Sequence, residues 1–184
     1  MPCWLRIKRV ASTAATGRLT QAESSRKTGV KEAELTLAIS AESPTTPDGI
    51  ALIEGSQAAL LEVFSPEEIF TFSPQELAGD DIAFLVARRG TAAVGCVALV
   101  DCGDYGEIKR LYVSPAGRGS GVARALMAEL EARARSGGLR LLRLETGAAL
   151  EPAVALYRRL GYCECGRFGA YDDHPASLFM EKRL

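Results

Sequence analysis

The run Ile108-Lys109-Arg110-Leu111-Tyr112-Val113-Ser114-Pro115-Ala116-Gly117-Arg118-Gly119-Ser120-Gly121-Val122-Ala123 passes from strand-like residues through a turn into a helix start. Ile108 to Val113 supplies the β-favouring residues, and Ser114 to Gly117 supplies turn chemistry. Beyond it Val122, Leu126 and Leu130 recur at i, i+4 and i+8, an apolar stripe that ends at Gly137-Gly138. A strand feeding a Gly-rich turn and then a helix N-terminus aims several unpaired backbone N–H groups at one point. That point attracts an anion such as a pyrophosphate. Glycine lets such a ligand reach the backbone without a Cβ in the way.

Two common nucleotide motifs fail on this loop. No Lys follows a Gly at the spacing of a P-loop, and a G-x-G-x-x-G/A reading ends on Val122 from Gly117 or on Arg124 from Gly119. The string R-x-x-G-x-A fits from Arg118 to Ala123 without a mismatch. A second segment, Ala153-Val154-Ala155-Leu156-Tyr157-Arg158-Arg159-Leu160-Gly161-Tyr162, follows farther on. The two together resemble the pyrophosphate loop and the A-[IV]-x-L-Y-x-x-x-G-[FY] segment of the GNAT (GCN5-related) N-acetyltransferases, over residues 50 to 184. The resemblance implies a mixed α/β fold with a mostly antiparallel central sheet flanked by helices. It also implies acetyl-CoA as co-substrate and direct acetyl transfer to a primary amine of a small molecule or protein. An acyl-CoA-binding module that senses without catalysing is the alternative.

Residue by residue, the same resemblance implies that Glu107 is the general base and Tyr157 the general acid at the departing sulfur. The backbone N–H of Leu111 would hold the thioester carbonyl, and Leu111, Tyr112 and Val113 would line the pantetheine arm beside a strand bulge. Arg118, Gly119, Ser120, Gly121, Val122, Ala123 and Arg124 would cradle the pyrophosphate. Phe168 and Tyr171, with Asp172 and Asp173 nearby, would belong to the acceptor wall. Many family members carry Asn or Gln where this chain has Leu150, so a side-chain bond to the cofactor is expected to be missing. Residue chemistry alone leaves Glu107 readable as a solvated strand glutamate and Tyr157 as a packed tyrosine.

Bulk composition narrows the remaining classes. The chain has 184 residues, 47% of them apolar and 24% charged, and a net charge of −1. That describes a soluble globular domain with a sizeable core and does not favour nucleic acid as a partner. No apolar run approaches the ~18 residues that span a bilayer. Cys3, Cys96, Cys102, Cys163 and Cys165 form no C-x-x-C, and His174 is the sole histidine, so no metal site is expected. The odd cysteine count fits a reduced, cytoplasmic setting. His174, before Pro175, reads as a solvated loop residue. Six basic residues among the first 30 face Glu23 alone. Residues 1–32 therefore read as a basic, disordered extension, although a transit peptide or an early start has the same composition. Residues 33–184 form the domain. Relatives of this kind often pair, which leaves a homodimer open.

The pattern of elements is β-α-α-β-β-β-α-β-α-β-β. Glu34 to Ile39 alternates as a first strand, and Ile50 to Phe64 reads as a helix. Ser73 caps a short helix with Pro74 at its first position. Strands are expected at Ile82–Ala87, Ala92–Val100, Glu107–Val113 and Leu139–Leu144, the last apolar on both faces. A helix over Glu151–Leu160 and closing strands at Tyr162–Gly166 and Ser177–Glu181 complete the chain.

Overall fold

The computed structural model of the protein describes residues 36–66, 69, 72–172 and 174–184. The expected extension at residues 1–32, and Glu34 and Leu35 of the expected first strand, lie outside the described residues. Seven strands form one sheet: β1 (Leu37–Ala41), β2 (Ile82–Arg89), β3 (Ala92–Asp101), β4 (Gly106–Val113), β5 (Leu141–Gly147), β6 (Cys163–Glu164) and β7 (Ser177–Arg183). Their spatial order is β1-β2-β3-β4-β5-β7-β6. Every neighbouring pair is antiparallel except β4 with β5. A parallel pair needs a long crossover. Here it is the motif helix α2 (Val122–Ser136).

The alternation of each strand divides the apolar residues between two faces. Leu85, Val97, Leu99, Ile108, Leu142 and Leu144 pack under α2 and under α3 (Glu151–Arg159) through Val122, Leu126, Leu130 and Tyr157. On the opposite face Phe84, Val86, Cys96 and Ala98 pack under Leu52 and Ile53 of α1 (Pro47–Leu61) and under Leu77. The fully enclosed Leu126, Met127 and Leu130 confirm the i, i+4, i+8 stripe as the buried side of α2.

Helix α1 starts three residues earlier than its apolar pattern implies. Thr46 caps it: the Oγ1 accepts from the Gly49 amide at 3.1 Å, and Pro47 occupies the first turn. Thr46→Ala is expected to lower stability by about 1 kcal/mol, read as a shifted urea midpoint at unchanged slope. The short helix after Ser73 is a single 3₁₀ turn, Glu76–Ala78, with Gln75 rather than Ser73 at its N-cap position and Pro74 before it, yet Ser73 and Glu76 still bond reciprocally. The Ser73 amide and hydroxyl both donate to the Glu76 carboxylate at 2.7 Å, and the Glu76 amide donates to Ser73 Oγ at 3.2 Å.

Strand β5 departs from expectation in register. It begins at Leu141 because Leu139 still belongs to the helix end: its amide donates to the Ala134 carbonyl, and Gly138 turns the chain at φ +88°. The strand is central but not apolar on both faces. Leu142, Leu144 and Thr146 are buried toward α2 and α3, whereas Arg143 and Glu145 project from the α1 face. The first closing strand is shorter than the expected Tyr162–Gly166, only Cys163–Glu164 at the sheet edge, and Cys163 is exposed there.

Candidate active site

Strand β4 parts from β5 halfway along its length. The parallel ladder joins Gly106, Glu107 and Ile108 to Leu142, Arg143 and Leu144 and goes no further. On its other side β4 stays with β3 but slips: Cys96 faces Tyr112, while Ala98 faces Lys109. Val97 therefore opposes two residues, Arg110 and Leu111, which is a β-bulge. Arg110 sits at φ +55°, the sole non-glycine residue at positive φ among those described. The bulge expected from the resemblance is present, and the main chain from Lys109 to Val113 has no strand beside it on the β5 side.

The opening is a cleft walled by α1 and the two splayed strands. Ser56, Leu60, Phe64 and Phe72 form the α1 side; Ile108 to Leu111, Glu145 to Gly147 and Tyr157 form the floor. Tyr171, His174 and Ser177 close the far edge. His174 is thus half-buried in the wall rather than solvated, with its Nδ1 accepting from the Ala176 amide at 3.3 Å. Leu150 also lines the cleft, an apolar side chain at the head of α3.

At the end of β4 the chain forms the expected loop. A 3₁₀ turn at Pro115–Gly117 leads through Arg118 to Gly119 at φ +71° and Gly121 at φ +82°, the N-cap of α2. The Ser120 hydroxyl donates to the Gly117 carbonyl at 2.6 Å, and Arg118 Nε donates to the Val113 carbonyl at 3.3 Å, which braces the turn. The first intrahelical bond runs from the Ala125 amide to the Gly121 carbonyl. The amides of Gly119, Ser120, Gly121, Val122, Ala123 and Arg124 donate to no acceptor among the described residues. A Cβ added to Gly119 or Gly121 would meet nothing within 4 Å, so these glycines serve their φ and the open approach in front of them. Gly117 differs: a Cβ there would come within 2.8 Å of the Val94 carbonyl.

Tyr112 and Val113 turn their side chains away from the cleft. Tyr112 packs on Gly55 of α1, and Val113 touches Gly117. What they offer the cleft is main chain.

The expected base and acid have different surroundings. Glu107 is buried, and its Oε1 accepts from Lys109 Nζ at 2.6 Å and from the Tyr171 hydroxyl. Lys109 Nζ also contacts that hydroxyl at 2.7 Å and lies over the Phe72 ring. Glu107 is therefore enclosed behind Lys109 and Tyr171 and does not line the cleft. Tyr171 reaches the cleft, but Phe168 does not: it is buried edge-on among Tyr105, Tyr171 and Phe179. Phe168 shapes the wall from behind rather than touching its contents. Asp172 is exposed, and Asp173 lies outside the described residues.

Tyr157 lies at the cleft floor, buried except for 7% of its surface. Its ring packs edge-on against Tyr162, and its hydroxyl has no hydrogen-bond partner among the described residues. Burial, with Glu145 nearby, pushes its pKa well above the usual phenol range. Glu145 escaped sequence reading because the expected strand, Leu139–Leu144, ended one residue before it, whereas the observed strand runs to Gly147. Burial raises the pKa of its carboxyl, partly offset by a hydrogen bond from Ser177 and by the charge of Lys109. The signal available beforehand was the alternation Arg143-Leu144-Glu145-Thr146, which places one polar face on a central strand.

Residues 50–162 match the family model of the acetyltransferase (GNAT) family. The chain belongs to that family. It is 43% identical to an IAA acetyltransferase of Azospirillum brasilense over 148 residues, 79% of this chain and 97% of that protein. A crystal structure from Klebsiella pneumoniae, described as a candidate acyl-CoA N-acyltransferase, superposes with a TM-score of 0.67 at 37% identity, covering 80% of this chain and 97% of that one. A PaiA N-acetyltransferase of Thermoplasma acidophilum, solved with coenzyme A, shares the fold at 21% identity and a TM-score of 0.66, covering 82% and 100%. The GNAT fold thus accounts for the splayed strands, and the protein is an acetyltransferase. Among the described residues no helix is long and apolar enough to cross a membrane, and no group of three His, Cys, Asp or Glu side chains could hold a metal ion.

Proposed function

We propose that the protein transfers an acetyl group from acetyl-CoA directly to a primary amine, with Glu145 as general base and Tyr157 as general acid. The observation that carries this reading is the junction of a six-amide loop with a strand gap that leads to both side chains. A diphosphate would take the amides of Gly119 to Arg124, where the helix N-terminus favours negative charge. The pantetheine arm would then pair with the exposed main chain of β4 as an added strand does at a sheet edge. Its thioester would lie beside Leu111, whose backbone N–H would hold the carbonyl oxygen. The coenzyme A in the Thermoplasma relative supports the donor assignment.

The reaction balances with these groups. An amine arrives as an ammonium ion and gives one proton to Glu145, which burial has made a stronger base than an ordinary carboxylate. The nitrogen attacks the thioester carbon, and negative charge grows on the oxygen. The C–S bond then breaks, and the thiolate takes the proton of Tyr157. The nitrogen's second proton restores Tyr157, and Glu145 releases the first to solvent. Glu107 has a different part: it neutralises Lys109 and fixes Tyr171, so it positions the wall rather than touching the amine.

An amine-library screen with thiol-release detection tests the reading. Acetyl-CoA-dependent release above hydrolysis, matched to an acetylated amine by mass, is expected. Saturable acetyl-CoA binding without release for any amine would contradict it. Tyr157→Phe is expected to lower kcat by about 10- to 100-fold with little change in the KM for acetyl-CoA, because the phenol acts only as the sulfur departs.

A further inference from the structure

The bulge in β4 does more than open the sheet. In a regular strand Lys109 and Arg110 would face opposite sides, and Arg110 would point into the core beneath α2. The extra residue and the positive φ of Arg110 cancel that alternation. Lys109 and Arg110 both reach the α1 side: Lys109 Nζ meets Phe72 and Tyr171, and the Arg110 guanidinium meets Gln57 of α1. Alternation then resumes, with Leu111 against the α2 face and Tyr112 against the α1 face.

The two cations are not equivalent. Lys109 is neutralised by Glu107 at 2.6 Å. Arg110 has no carboxylate within 4 Å among the described residues. Its NH1 donates to Gln57 Oε1 at 3.2 Å and its NH2 to the Phe72 carbonyl at 3.3 Å, both neutral acceptors and both long. Glu76 acts on it only through space, with its own carboxylate held by Ser73. A guanidinium carries five N–H donors. Most of those on Arg110 therefore meet no acceptor among the described residues, in a cleft wall where burial makes an unpaired charge costly. A planar fork of this kind matches a carboxylate through two parallel bonds.

We propose that Arg110 recognises a carboxylate on the acceptor, so that the enzyme's substrates are amino carboxylic acids rather than simple amines or polyamines. The proposal rests on the transferase reading above. Glu145 faces the ammonium end and Arg110 the carboxylate end, so the cleft offers opposite charge to each end of a zwitterion. The exposed Asp172 belongs to neither end. Arg110 is a specificity residue: it orients the acceptor and takes no part in proton transfer.

The test pairs amino acids with their own carboxamides, which keep size and amine but lose the anion. Each is titrated calorimetrically into CoA-saturated protein, and acetyl transfer is followed in parallel. Carboxylates are expected to bind at least about tenfold tighter than carboxamides, the discrimination of one charge-assisted contact. Arg110→Gln is expected to erase that ratio, and Arg110→Lys to keep part of it, with CoA affinity unchanged in both. Equal binding of acids and amides by the parent protein overturns the proposal whether or not the variants fold. So does an Arg110→Gln protein that keeps the ratio, or a CoA-bound parent that binds no carboxylate. Acetyl transfer to amines without preference for the acid leaves the transferase reading intact and removes this one. Arg110-dependent binding of acids without transfer does the reverse.

Discussion

Replacing Glu145 by Gln is expected to lower kcat by about 10²- to 10⁴-fold, the usual contribution of a positioned general base. Affinity for CoA should stay within a few-fold, because the amide loop is on another element. Gln keeps the shape and can still accept from Ser177, so lost activity would report lost basicity rather than lost packing. Stability gives a second readout with a definite sign. Burial favours the neutral form of Glu145, so its folded-state pKa lies above its unfolded value. Between those two values the folded protein binds more protons than the unfolded chain. Stability is therefore lost as pH rises from the ordinary carboxylate range through the raised pKa. Glu145→Gln removes that loss. Its thermal midpoint should equal the parent's at low pH and match or exceed it at pH 8. In the parent, kcat should fall as acid protonates Glu145, at a pH above the ordinary glutamate value. A Glu145→Gln enzyme that keeps its rate within tenfold would return the role of base to Glu107. Under the present assignment, Glu107→Gln acts through its neighbours. It strips Lys109 of its counter-ion, so it should destabilise the protein as well as slow it, whereas Glu145→Gln should only slow it.

What the chain discloses by sequence depends on whether a feature is local. The loop from Ser114 to Ala123 was legible because glycine at positive φ and a helix start are consequences of neighbouring residues. The stripe Val122, Leu126 and Leu130 was legible for the same reason, and so was the order of strands and helices. Strand β5 was misjudged because a helix end consumed Leu139. The strand starts two residues later and runs on to Gly147, so its alternation extends through Arg143 and Glu145 on one face, beyond the apolar run that ended at Leu144. Glu107 was singled out by position along the strand, and the resemblance could not tell that Tyr171, 64 residues away, would cover it. Phe168 and Tyr171 were read together as acceptor wall, yet only Tyr171 reaches the cleft. Their separation follows from edge-on packing with Tyr105 and Phe179, a contact between distant segments. Arg110 is the strongest instance. Nothing in Lys109-Arg110-Leu111 announces that both cations share one face, because the bulge is set by the pairing of β3 with β4. Residues whose roles depend on long-range register are the ones that local pattern hides.

Substituting Gly121 by Val is expected to raise the Kd for CoA by about 10³-fold, an effect on the cofactor rather than on the fold. Gly121 is at φ +82°, where a non-glycine residue costs about 1–2 kcal/mol and a β-branched one more. Its Cβ would project into open space and collide with no part of the chain. The folded state therefore pays only the backbone strain, and the thermal midpoint should fall by several degrees without loss of cooperativity. Binding suffers more. The new side chain stands in front of amides that would otherwise receive the diphosphate, and relief of its strain rotates the Gly121 and Val122 N–H groups off their common target. Each charge-assisted bond lost is worth about 1.5–3 kcal/mol, so two suffice for the expected change. Gly119→Ala, at φ +71°, should act in the same direction with a smaller effect, since alanine is not β-branched. Gly117→Ala is the control for packing. It clashes with the Val94 carbonyl, so it should cost stability first and affinity only in consequence. Calorimetric titration with CoA, alongside thermal unfolding, separates the two kinds of loss. If Gly121→Val binds CoA within tenfold of the parent while folded, the amides from Gly119 to Arg124 are not where the diphosphate is held.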